Sequence, residues 1–242
     1  VNYKCVVEYD GADFHGWQYQ PDLRTIQGEF EKALKQMVKR VVKVVAAGRT
    51  DTGVHAEGQI VSFKIDRDWS SDIVLKGLNS ILPNDVRIKS CRIVGDSFSS
   101  RFDALSREYR YRVFNDRSVL RRKTHWCTDW PVDYETLKKL AEMLRGSHDF
   151  KSFCVEKSQK ESNICIISKS FWTKRGKEYT FHVVANRFLH GMVRSLVGTM
   201  MRVASGQLAE KEFRVLFERP KRSARILTAP PQGLTLMKVN YR

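Results

Sequence analysis

Val41-Val42-Lys43-Val44-Val45-Ala46-Ala47-Gly48-Arg49-Thr50-Asp51-Thr52-Gly53-Val54-His55-Ala56-Glu57-Gly58-Gln59-Ile60-Val61-Ser62-Phe63-Lys64-Ile65 reads as strand, polar loop and strand in succession. The β-branched run 41–47 and the alternation over 59–65 both suit a pleated, half-buried surface. Between them, Gly48 and Gly53 permit positive φ or close approach of another backbone, and Thr50 and Thr52 offer hydroxyls. Such a loop presents Asp51 as an ionised acid on a rigid mount without burying it. A plain polar turn between two strands is the competing reading.

Working outward, Tyr3–Tyr9 is a β-type run closed by Asp10-Gly11, and an aromatic loop follows as far as Pro21. Thr25 then caps a helix whose Ile26, Phe30, Ala33, Leu34, Met37 and Val38 share one face. Ser71–Ile81 reads as a second helix and Val86–Val94 as a strand. The resulting order, β-α-β-β-α-β, is that of a ferredoxin-like unit and of RNA-binding sheets. The second half repeats it imperfectly: strand Glu108–Phe114, helix Tyr134–Leu144 capped by Asp133, strands Ile164–Lys174 and Glu178–Ala185, helix Leu189–Ala204, and a last strand Leu234–Val239. In that long helix Met192, Val193, Leu196, Val197, Met200 and Met201 form an apolar stripe, with the methionines as core filler, while Arg194 and Arg202 fall off it. The expected architecture is α+β, with two ferredoxin-like (RRM-like) lobes. Residues 1–103 carry the Asp loop, residues 104–242 complete the site, and antiparallel sheets flank a central catalytic cleft.

Charge narrows the partner. The chain of 242 residues holds 43 Lys and Arg against 27 Asp and Glu, a formal +16. A surplus of this size speeds association with polyanions and supplies phosphate contacts, so nucleic acid leads and a membrane surface is second. It is concentrated twice: eight Arg and Lys against three acids over 101–123, and nine against three over 187–225. Both stretches interleave with aromatics, as in Tyr109-Arg110-Tyr111-Arg112-Val113-Phe114, so the cations project from folded elements. The five cysteines (Cys5, Cys91, Cys127, Cys154, Cys165) are widely spaced with no Cys-x-x-Cys, which suits reduced core thiols. The six histidines are scattered and give no zinc pattern. With no signal sequence and no apolar run of membrane length, the expected location is the cytoplasm.

Four motifs in order, Val7-Glu8-Tyr9-Asp10-Gly11, Phe14-His15-Gly16-Trp17-Gln18, Thr25-Ile26-Gln27 and the nine residues Gly48 to Ala56, resemble the TruA family of tRNA pseudouridine synthases. The resemblance continues through Arg101-Phe102-Asp103-Ala104, Tyr109-Arg110-Tyr111, the run from Asn186 to Arg194, and Ala229-Pro230-Pro231-Gln232-Gly233-Leu234, and is silent between about Arg117 and Ile164. It implies a homodimeric, cofactor-free isomerase acting on uridines 38, 39 and 40 of the tRNA anticodon arm. It also implies that Asp51 is the catalytic carboxylate and that Arg194 pairs with it and keeps it ionised. Tyr109 would stack on the uracil and relay its C5 proton. Arg49 would fill the space left by a flipped uridine, Arg110 would bind substrate, and Leu234 would wall the flipped base.

The chemistry itself asks for little. Pseudouridine formation breaks the N1–C1′ bond, turns the uracil and rejoins it through C5, and a carboxylate could attack C1′, attack the ring, or take a sugar proton. The sequence does not choose among these. Asp51-Thr52-Gly53 is also the triplet of aspartic proteases, but that chemistry needs two carboxylates sharing a proton, which only a symmetric dimer could provide here. A non-catalytic RNA-binding protein would be satisfied by the charge and the strand aromatics. It would gain nothing from a carboxylate in a phosphate-attracting cleft.

Overall fold

A computed structural model describes residues 1–159 and 162–242. The chain forms two units: Val1–Leu105 together with Thr235–Arg242, and Ser106–Leu234.

In the first unit β1 (Asn2–Tyr9), α1 (Ile26–Val38), β2 (Val44–Ala46), β3 (His55–Lys64), α2 (Ser71–Ile81) and β4 (Val86–Val94) follow one another in the order read from the sequence. The strands stand β4-β1-β3-β2, every neighbour antiparallel. Alternation along β1 sends Tyr3, Cys5, Val7 and Tyr9 into the core. There Phe63 of β3 stacks on Tyr3 with ring centroids 5.7 Å apart and meets Phe30 of α1 edge-on at 5.8 Å. Fully burying side chains of this size contributes about 1.5–3 kcal/mol each. Thr25 caps α1 by accepting the Gly28 N–H, and Ser70 caps α2 by accepting that of Ile73. β2 is shorter than the apolar run 41–47 suggests. Val44, Val45 and Ala46 stand opposite Phe63, Ser62 and Val61, and the Ala47 N–H adds a bond to the Ile60 carbonyl at 2.8 Å, while Val41 is 72% exposed.

The second unit contains β5 (Ser106–Phe114), β6 (Trp126–Cys127), α3 (Tyr134–Glu142), β7 (Gly146–Asp149), β8 (Ile164–Arg175), β9 (Glu178–Ala185), α4 (Met192–Ala204) and α5 (Glu210–Glu218). Its sheet runs β5-β9-β8-β7, antiparallel throughout, with β6 parallel to β5. Asp133 caps α3 by accepting the N–H groups of Glu135 and Thr136. α4 begins at Met192, three residues later than the apolar pattern implies, because Gly191 takes a left-handed φ of 71° that interrupts the helix. Met192, Met200 and Met201 are fully buried, as core filler should be. β7 is too short, at four residues, to show a period, and α5 (nine residues, like α3) was not identified from the sequence. α5 is held by Phe213 and Phe217, which join Phe150 and Phe153 in an aromatic cluster.

β10 (Leu234–Asn240) returns the end of the chain to the first unit, pairing in parallel with β3 through Thr235 opposite His55 and Leu236 opposite Ala56. The fold is mixed α+β with mostly antiparallel strands. Among the described residues no helix is long and apolar enough to cross a membrane.

Candidate active site

Asp51 lies half-buried in the loop between β2 and β3, flanked by a buried Thr50 and an exposed Thr52, with Arg49 also exposed. The two threonines therefore differ in role. Thr50 faces inward, its Oγ1 2.8 Å from the Tyr9 hydroxyl, and Gln59 of β3 donates through Nε2 to the Gly48 carbonyl at 2.8 Å and to the Tyr9 oxygen at 3.5 Å. Burial pushes the Tyr9 phenol up to about 12, against the pull of its bonds to Thr50 and Gln59. It is thus a neutral, fixed hydrogen-bonding group over the whole working range of pH.

The aromatic loop after β1 grips the other side of this turn. Trp17 N–H donates to the Thr50 carbonyl at 3.0 Å, Gly53 N–H to the Phe14 carbonyl at 3.2 Å, and Val54 N–H to the Asp51 carbonyl at 3.1 Å. The approach is too close for side chains at two points. A Cβ on Gly11 would lie 2.0 Å from the Val54 carbonyl oxygen, and one on Gly16, whose φ is +83°, would lie 2.7 Å from that of Thr50. The aromatic loop is anchored in turn by Arg24, which makes two bonds to Asp85 at 2.7 and 2.9 Å and lies 4.0 Å over the Phe14 ring. Backbone bonds on both flanks of Asp51 thus fix the turn that carries this half-buried residue.

Tyr109, Arg110, Arg194 and Leu234 belong to the second unit. Tyr109 is buried on β5, its ring edge-on to Phe188 at 5.1 Å, and Arg110 stands on the opposite face of the strand, across from His182. Burial, then the Arg110 charge, pulls the His182 imidazole below its usual range. On α4, Arg194 Nε donates to the Ala229 carbonyl at 2.8 Å while Ala229 N–H donates back to the Arg194 carbonyl at 3.0 Å. Nearby the Tyr111 hydroxyl donates to the Pro230 carbonyl at 2.7 Å. A Cβ on Gly233 would lie 2.6 Å from the Tyr111 ring. The segment Ala229–Leu234 is therefore stitched to both α4 and β5. This brings Arg194, the strand of Tyr109 and the approach to Leu234 into one packed group.

A family described as tRNA pseudouridine synthase matches residues 5–103 and 140–242. The chain belongs to that family. Full-length relatives carry the description tRNA pseudouridine synthase A. The one from Geobacillus sp. (strain WCH70) is 39% identical over 241 residues, covering 98% of this chain and 97% of its own. That from Methylobacterium nodulans (strain LMG 21967) is 40% identical over 242 residues, covering 99% and 95%. That from Dictyoglomus turgidum (strain DSM 6724) is 38% identical over 245 residues, covering both chains completely. The tRNA pseudouridine synthase match includes Asp51, Arg194 and Leu234 and leaves out 104–139, where Tyr109 and Arg110 lie.

Tyr9, Trp17 and Gln59 are the residues around Asp51 that sequence reasoning did not single out for this synthase. Tyr9 and Trp17 stand inside the quoted motifs, but read as a strand aromatic and a loop aromatic. Nothing along the chain says that Tyr9 is aimed at a threonine 41 residues away.

Proposed function

We propose that Asp51 is the carboxylate with which this tRNA pseudouridine synthase isomerises uridines 38, 39 and 40 of the anticodon stem-loop. Family membership makes the chain an isomerase that converts uridine to pseudouridine in tRNA. The observation that supports Asp51 is its mount: a turn braced from both sides by backbone bonds and by the Tyr9–Thr50–Gln59 cluster. Substrate and product have the same atoms in the same oxidation state, so the reaction calls on positioned charge and proton transfer only.

Asp51 attacks C1′ or the ring, or takes the sugar proton, and the detached uracil turns and closes through C5. Arg194 supplies the positive charge that keeps Asp51 ionised. Tyr109 stacks on the uracil and passes on the C5 proton, Leu234 walls the base, Arg49 fills the gap in the flipped stack, and Arg110 binds the substrate. Each unit is read as a ferredoxin-like lobe. The strand order β4-β1-β3-β2 with two helices supports this in the first, and β5-α3-β8-β9-α4 supports it in the second. The working form is a cytoplasmic homodimer, which light scattering tests directly.

The deciding experiment incubates the protein with unmodified tRNA and maps pseudouridine by position. Wild type is expected to modify 38, 39 and 40. Asp51→Asn is expected to make no product while binding tRNA within a few-fold of wild type, and Arg194→Lys to keep only part of the rate. Wild-type turnover by Asp51→Asn would overturn the assignment.

A further inference from the structure

Cys5 and Cys91 face each other directly in the antiparallel ladder of β1 and β4. Opposed residues in such a ladder have Cα atoms about 4.5–5.5 Å apart, inside the range of about 4.4–6.8 Å that a disulfide spans, and project from the same face. Both thiols are free, and each acts on the other's titration. Their exposure differs: Cys5 is fully buried, whereas Cys91 is partly open to solvent. Their mutual interaction acts in opposite directions on the two, holding the Cys91 thiol below its ordinary range and raising that of Cys5, to which burial adds. Cys154 and Cys165, by contrast, are both raised by burial. Cys91 thus combines access, a thiol held below its ordinary range and a second cysteine directly across the ladder, the features of a redox-responsive thiol.

We propose that Cys5 and Cys91 form a reversible dithiol–disulfide pair in which Cys91 is the attacking thiol, Cys5 the resolving thiol, and a small-molecule disulfide the oxidant. The Cys91 thiolate attacks one sulfur of the oxidant, whose S–S bond breaks and releases one thiolate. Cys5 then attacks the Cys91 sulfur of the mixed disulfide, and the second thiolate departs. The two cysteine protons pass to the two released thiolates, the protein loses two electrons, and the oxidant gains them. The product staples β1, the strand that carries Tyr9 to the Asp51 loop, to its neighbour β4.

A nitrobenzoate disulfide probe on the folded protein, followed by alkylation and non-reducing peptide mapping, tests this. Wild type should release two nitrobenzoate thiolates per Cys91 modified. It should also yield a linked Cys5–Cys91 peptide, two hydrogens lighter than the separate peptides and restored by dithiothreitol. Cys5→Ser should release one and keep the label on Cys91. Label retained on Cys91 in wild type, or an unmodified Cys91 while Cys127 reacts, would overturn the proposal. Because Cys5 is fully buried, Cys5→Ala serves where serine disturbs the fold, and the wild-type peptide map decides the outcome without either variant.

Discussion

The Tyr9 hydroxyl and Thr50 Oγ1 lie 2.8 Å apart in the interior, immediately before Asp51 in the loop. Removing the phenol oxygen leaves a buried threonine hydroxyl without that partner, a loss worth about 1–3 kcal/mol. Tyr9→Phe is therefore expected to lower stability by that amount and to slow pseudouridine formation more than it weakens tRNA binding. Urea denaturation and single-turnover kinetics measure the two effects. A turnover unchanged in the face of lost stability would show that the cluster braces the fold and not the Asp51 turn.

Gly16 meets the same turn from the aromatic loop, with φ at +83° and no room for a Cβ beside the Thr50 carbonyl. An alanine there must move one backbone away from the other, and the left-handed conformation adds strain of about 1–2 kcal/mol. Gly16→Ala is expected to retain the circular dichroism of wild type and to lose at least about tenfold in turnover, the scale on which small displacements of a reacting group act. Equal rates for the two proteins would separate the Gly16 contact from Asp51 positioning.

Tyr109 packs edge-on against Phe188 and is otherwise buried on β5. If it both stacks on the base and relays a proton, Tyr109→Phe keeps the face and loses the hydroxyl, whereas Tyr109→Leu loses both. The expected order is a fall in turnover with near-normal tRNA affinity for phenylalanine, and a fall in both for leucine. Equal damage in turnover and affinity from the two substitutions would leave the hydroxyl as the only part that matters.

Lys4 lies on the other face of β1 from Tyr9's core side, with Nζ 3.6 Å over the Tyr241 ring and 4.8 Å over that of Phe98. Burial, then the Arg92 charge, lowers it to about 8, below its ordinary value of 10.5. The unfolded chain therefore binds more protons than the folded one between these two values, so stability should rise with pH across that interval and be flat below it. Lys4→Met should remove this rise. Denaturant midpoints of the two proteins from pH 7 to pH 10 provide the comparison, and parallel profiles would refute the assignment to Lys4.

The α+β class, the β-α-β-β-α-β order of the first unit and the site loop could all be read from the chain. Each rests on local patterns: alternation in β1, a 3.6-residue stripe after Thr25, and glycines around Asp51. The two-residue β6 and four-residue β7 are too short to show a period, and helix and strand ends set by partners were invisible too. α4 starts where Gly191 turns left-handed, and β2 covers only Val44–Ala46 of the apolar run, the stretch in register with Phe63, Ser62 and Val61 of β3.

By itself the sequence determined that an acid would stand on a glycine-bounded turn between two strands in a strongly basic protein, because residue type and spacing act locally. Only the tertiary structure decided what braces that acid. Tyr9 reaches Thr50, Gln59 reaches Gly48, and Gly11 and Gly16 admit the backbones of Val54 and Thr50. It likewise set Cys5 against Cys91. These pairings follow from strand register and loop docking, which are settled when buried apolar surface and backbone hydrogen bonds are satisfied together, and no single stretch of the chain encodes them.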